Sequence, residues 1–161
     1  RRLAAMQRMT DEVRSRGGRV LTGGERLNRR GYFWPATVCV DVPQTASLAM
    51  EEPFGPIVSI APFSTVAEAL TLANRTSYGL AGYVFTNSPE RAREVIDGLQ
   101  VGSVGVNSLA GVPPDIGIAG VKDSGYGYEG GRLGVEAFLN LKVVRGGDKF
   151  TSGTFLARRP D

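Results

Sequence analysis

A chain of 161 residues, 42% hydrophobic and 22% charged, has the size and balance of one soluble globular domain able to bury a core, which excludes a disordered or low-complexity protein. It contains no histidine and a single cysteine, Cys39, so the usual zinc sites, every His-based triad and an internal disulfide are excluded, and no metal site is expected. With a net charge of only +3 and no run of about 18 apolar residues, the expectation is a cytoplasmic protein without membrane or nucleic-acid partners. The charge is unevenly placed, because Arg1, Arg2, Arg8, Arg14, Arg16, Arg19, Arg26, Arg29 and Arg30 crowd the beginning. No interleaved aromatics or binding motif accompany them, so they read as a solvated helix face and a loop rather than a nucleic-acid footprint.

In chain order, Leu3, Met6 and Val13 fall near one side of a helix over 2–16, which Gly17-Gly18 would end in left-handed geometry. Val20-Leu21 reads as a short strand, Thr37–Val42 as a β-branched strand closed by Pro43, and 47–51 as a helical turn. An apolar run from Ile57 to Phe63 predicts a strand. Thr65 and Glu68 then form a capping box for a helix bearing Val66, Ala69, Leu70 and Ala73 on one face. The pattern repeats with a strand over 81–86, Ser88 as N-cap, Pro89 at the first helical position, and Ala92, Val95, Ile96 and Leu99 on one face. A strand over 101–106 completes βαβαβ. Helical crossovers between apolar strands predict a parallel sheet covered on both faces, hence an α/β fold. From 107 to 131 glycine and proline signal a long functional loop, 138–144 reads as a strand, and 148–161 as a flexible tail.

Gly125, Gly127 and Gly130 have the spacing of a dinucleotide fingerprint, but Val121-Lys122-Asp123-Ser124 before them is not an apolar strand, so they read as a glycine-rich turn entering a helix. Cys39 sits within an alternating strand pattern with no histidine as base, and reads as a core side chain rather than a nucleophile. In Glu51-Glu52-Pro53-Phe54-Gly55-Pro56 the prolines stiffen a loop that presents a carboxylate and an aromatic ring. A carboxylate can accept both hydroxyls of a ribose, and a ring can lie against a nicotinamide.

Gly31–Thr37, Glu51–Pro56, Tyr78–Ala81, Val106-Asn107 and Lys122–Gly127, in unbroken order over roughly 1–145, resemble the aldehyde dehydrogenase superfamily. The resemblance implies the second half of the catalytic domain (1–136), an oligomerisation strand (137–147) and the tail (148–161). It implies an NAD(P)-dependent enzyme that oxidises an aldehyde to an acid through a cysteine thiohemiacetal and thioester. Glu52 would bind the nicotinamide ribose and Phe54 would pack near the nicotinamide. The catalytic cysteine, general base and oxyanion-hole asparagine of the family fall before Arg1, so no catalytic residue is assigned, and the partner implied is the amino-terminal half of the enzyme. Pairing through 137–145 would build a dimer or tetramer.

Gly117-Ile118-Ala119-Gly120 departs from the family's Pro-Phe-Gly-Gly at the substrate rim, while Lys122–Gly131 is similar to the succinate-semialdehyde dehydrogenase branch. The alternatives are a nonenzymatic interaction module with an arginine-rich surface for an acidic partner, and a relative reducing acyl phosphates or thioesters.

Overall fold

Arg2–Ser15 forms helix α1, in a computed structural model that describes residues 1–145 and the strand backbone of 153–158. Met6, Met9, Thr10 and Val13 make its buried stripe. Thr10 belongs there despite its hydroxyl, which donates back to the carbonyls of Met6 and Gln7 at 3.0 and 2.9 Å. The helix closes as expected. Gly17, at φ 86°, donates to the Arg14 carbonyl, and Gly18 to that of Val13 at 2.8 Å, which satisfies the last carbonyls in a Schellman pair.

The chain divides into two units, 1–76 and 77–161. In the first, β1 (Arg19–Thr22) pairs antiparallel with β2 (Thr37–Val40). Helix α2 (Ser47–Met50) follows, and β3 (Ile57–Ile60) runs parallel to β2 with Thr37 opposite Ile57. Helix α3 (Val66–Ala73) is capped as the local sequence predicts. Thr65 Oγ1 accepts from the Glu68 N–H at 3.1 Å, while the Glu68 carboxylate reaches back to the Ser64 N–H at 2.8 Å. Met6, Met9, Val13, Trp34, Cys39, Leu48 and Ile57 pack as one buried cluster.

The second unit begins with β4 (Tyr78–Gly79) and β5 (Ala81–Val84). Helix α4 (Pro89–Gly98) is capped by Ser88, whose hydroxyl oxygen accepts from the Arg91 N–H at 3.2 Å. Strand β6 (Ser103–Val106) lies parallel to β5, and β7 (Val121–Lys122) antiparallel to β4. Helix α5 (Gly131–Glu136) leads into β8 (Leu139–Val144), which pairs antiparallel with β9 (Gly153–Arg158).

Three expectations differ from these pairings. The parallel run of β3, β5 and β6 is divided, because β3 takes β2 as its parallel neighbour while β5 pairs with β6. Local apolar patterning marks a strand but not the distant strand it pairs with. The sheets are also not covered on both faces within this chain: Val58, Ile60, Tyr83 and Phe85 are exposed. In the second unit the buried residues among those described are Gly79 and Gly134, so the packed core belongs to the first unit. Finally, 153–158 forms β9 where a flexible tail was expected. Thr154 and Phe155 favour a pleated strand, and β8 supplies an edge for it. The rest of 148–161 lies outside the described residues.

Candidate functional site

The segment Glu51–Pro56 is fixed at both ends by burial. Leu48 in α2 and Ile57 at the start of β3 both belong to the core, and the Pro56 carbonyl accepts from the Thr37 N–H at 2.8 Å. Between these anchors the segment lies along α1. Arg8 donates to the Ser47 hydroxyl at 2.8 Å and pairs with the Glu51 carboxylate at 3.2 Å. Glu12 of α1 accepts from the Ser47 N–H at 3.1 Å, and this Ser47 contact, aided by Arg16 and Arg8, holds its carboxyl below the ordinary value. At Gly55, a Cβ would run into the Met6 thioether, so any side chain there would have to displace Met6 from the core.

Phe54 departs from ordinary backbone geometry, with φ 46°, a left-handed value that a bulky side chain adopts only under constraint. Its ring is 63% exposed, and the Arg2 guanidinium carbon lies 4.7 Å above the ring centroid. Glu52 is exposed, and among the described residues no hydrogen bond or ion pair engages its carboxylate. Of the two acids in sequence, one is therefore committed to Arg8 and the other remains an open acceptor. Glu52 and Phe54 lie in one short turn where the sequence indicated a loop stiffened by prolines, and the left-handed strain at Phe54 was not foreseen. Arg2, Arg8 and Met6, which hold that turn, were missed. Their only signal was the amphipathic helix itself, which does not say what it packs against.

Cys39 is fully buried in the middle of β2, and desolvation pushes its thiol above the ordinary value although Arg14 opposes the shift. A thiol so placed is core packing. The arginine-rich start is largely internally paired: Arg14 with Asp11 and Glu25, Arg16 with Glu12 and Arg19 with Asp41, at 2.7 to 3.5 Å. Arg29 covers the Phe33 ring at 3.8 Å. No helix among the described residues is long and apolar enough to cross a membrane.

In the second unit, Asn107 closes the carboxy ends of β5 and β6. Its side-chain oxygen accepts from the Thr86 N–H at 2.8 Å, and its amide nitrogen donates to the Thr86 carbonyl at 2.9 Å. Its own N–H reaches the Val84 carbonyl at 2.8 Å, and it sits at φ 51°, which asparagine tolerates better than most residues. From that latch runs the 108–130 loop, held by Ile118 and Glu129 in reciprocal backbone hydrogen bonds at 2.8 and 2.9 Å. Gly125, Gly127 and Gly130 all have positive φ and lead into α5. The element before them is the two-residue β7 in an antiparallel pair, so this is a turn and not a dinucleotide fingerprint. Asn107→Ala is expected to lower the stability of the isolated chain by about 2 kcal/mol in urea denaturation, with Asn107→Gly recovering only the backbone part.

With its mixed α/β scaffold and stiff acidic-aromatic turn, the chain belongs to the aldehyde dehydrogenase family, whose model matches residues 1–144. The chain is 42% identical over 144 residues to the 4-(hydroxymethyl)benzenesulfonate dehydrogenase of Comamonas testosteroni, covering 89% of this chain and 30% of that protein. It is 36% identical over 137 residues to the NADP(+) succinate-semialdehyde dehydrogenase of Mycobacterium avium, covering 85% of this chain and 29% of the relative. Among solved structures, betaine aldehyde dehydrogenase from Staphylococcus aureus in complex with NAD+ superposes with a TM-score of 0.81 at 30% identity, over 97% of this chain and 30% of that one. The chain thus spans about a third of the length of the relatives it matches.

Proposed function

We propose that this chain works as the carboxy-terminal part of the catalytic domain of an NAD(P)-dependent aldehyde dehydrogenase, in which Glu52 and Phe54 hold the nicotinamide end of the cofactor. The observation that carries the reading is the open Glu52 carboxylate two residues from an exposed ring held at left-handed φ, on a segment pinned to α1. Those residues fit the group. The carboxylate accepts both hydroxyls of a ribose, and the ring offers an apolar face to a nicotinamide. NAD or NADP, when bound, accepts the hydride that leaves the aldehyde carbon.

The chain's own part is binding and orientation. Cys39 is buried, so the nucleophile that attacks the aldehyde is assigned to residues outside 1–161, and this chain alone is inactive. The relatives named for sulfonate- and succinate-bearing compounds favour a small aldehyde with an anionic group as substrate. We further propose a cytoplasmic enzyme that pairs as a homo-oligomer through 137–145, a reading supported by the exposure of Leu141 and Val143 on β8.

In the full-length enzyme, Glu52→Gln is expected to weaken NAD(P) binding on the order of ten- to a hundred-fold, the loss of hydrogen bonds to a charged acceptor. Fluorescence titration of the cofactor measures it, and an unchanged Kd would sink the ribose assignment. Aldehyde-dependent NAD(P)H formation by the isolated chain would overturn the placement of the nucleophile.

A further inference from the structure

We propose that Arg2 is a further cofactor-binding residue, whose guanidinium takes the phosphate joined to the nicotinamide ribose. The proposal rests on the reading of Glu52 as the ribose acceptor. Arg2 lies over the face of Phe54, and among the described residues no hydrogen bond or ion pair engages its guanidinium. A guanidinium held over a ring still has N–H donors to offer, and its planar fork matches two oxygens of a phosphate.

The surrounding charges favour the same ligand. Glu51, which would repel an anion, is paired with Arg8 at 3.2 Å, and the other carboxylate, Glu52, is the one that the ribose hydroxyls would engage. Glu52 and Phe54 are two residues apart, within about 7 Å along the backbone. Because Arg2 lies over the Phe54 ring, the carboxylate and the cation flank the same short turn, which suits a sugar that bears hydroxyls on one side and a 5′-phosphate on the other. The Phe54 backbone conformation then has a second purpose: it turns the ring to support the arginine as well as to face the nicotinamide. A carboxylate for the sugar, a ring for the base and a cation for the phosphate make a three-point grip on one nucleotide half.

The test uses the full-length enzyme and three probes read by calorimetry. ADP-ribose carries both that phosphate and the terminal ribose, ADP carries the phosphate without the ribose, and AMP carries neither. Their 2′-phosphorylated forms replace them if the enzyme takes NADP. Arg2→Gln is expected to weaken ADP-ribose and ADP about ten-fold each, to leave AMP within about two-fold, and to flatten the salt dependence of ADP-ribose binding. Arg2→Lys, which keeps the charge but loses the stacked fork, falls between. Unchanged ADP-ribose affinity in Arg2→Gln, or equal weakening of AMP, overturns the proposal. Glu52→Gln separates the two readings. If it weakens ADP-ribose while Arg2→Gln does not, the phosphate assignment alone falls. If it leaves ADP-ribose unchanged, the ribose reading falls and the proposal with it.

Discussion

Gly102→Ala is expected to cost the second unit more than about 4 kcal/mol, enough to melt it, because there is no space for the added methyl. A Cβ on Gly102 would fall inside the carbonyl oxygen of Ala119, a backbone atom that cannot swing aside as a side chain could. Neither neighbour is free to yield. The Gly102 N–H is bonded to the Gly79 carbonyl at 3.1 Å and β6 is paired with β5, while Ala119 stands between the Ile118–Glu129 bridge and β7. Hydrogen exchange at Ser103 and Asn107, whose N–H groups donate to the Leu80 and Val84 carbonyls, reads the outcome directly in the purified chain. Protection within a factor of about ten of the parent would mean that the 117–120 segment relaxes and that the close approach is dispensable.

Thr37→Val is expected to destabilise the first unit by about 3 kcal/mol, although it hardly changes side-chain shape. The buried Thr37 hydroxyl accepts from the Gly24 N–H at 2.9 Å and the Trp34 indole N–H at 3.0 Å, and donates to the Pro35 carbonyl at 2.9 Å. A methyl in its place strands two donors and an acceptor away from water, at about 1–3 kcal/mol for each group left unsatisfied. Because Trp34 is the only tryptophan, its emission follows the same event as chemical denaturation proceeds. Thr37→Ser keeps the hydroxyl and is expected to lose less than half as much. If Val and Ser are equally damaging, the hydroxyl is not what holds this corner.

Features written in adjacent residues were the ones legible beforehand. Thr65 with Glu68, and Ser88 with Pro89, set helix starts through bonds spanning three or four positions, and the structure has both. Gly17-Gly18 ended α1 for the same reason. What could not be read was which distant partner each apolar strand chooses. Val58 and Val104 both mark strands, yet one lies beside Val38 and the other beside Gly82. The site divides along the same line. Glu52 and Phe54 announce themselves through the two prolines around them, whereas the Arg2 guanidinium reaches Phe54 across 52 positions and only folding reveals it.

The first unit packs its side chains around α1 and β2, while the second, among the described residues, buries little beyond two glycines and relies on backbone hydrogen bonds. That contrast bears on how such a protein diversifies. Within the 108–130 loop the exposed side chains, Leu109 and Ile116 among them, can change with little loss of packing, whereas Ala119 against Gly102 and the glycines at positive φ cannot. Selection can therefore reshape those exposed positions from lineage to lineage at small thermodynamic cost. The turn bearing Glu52 is pinned by Met6 and Arg8 and has no such latitude.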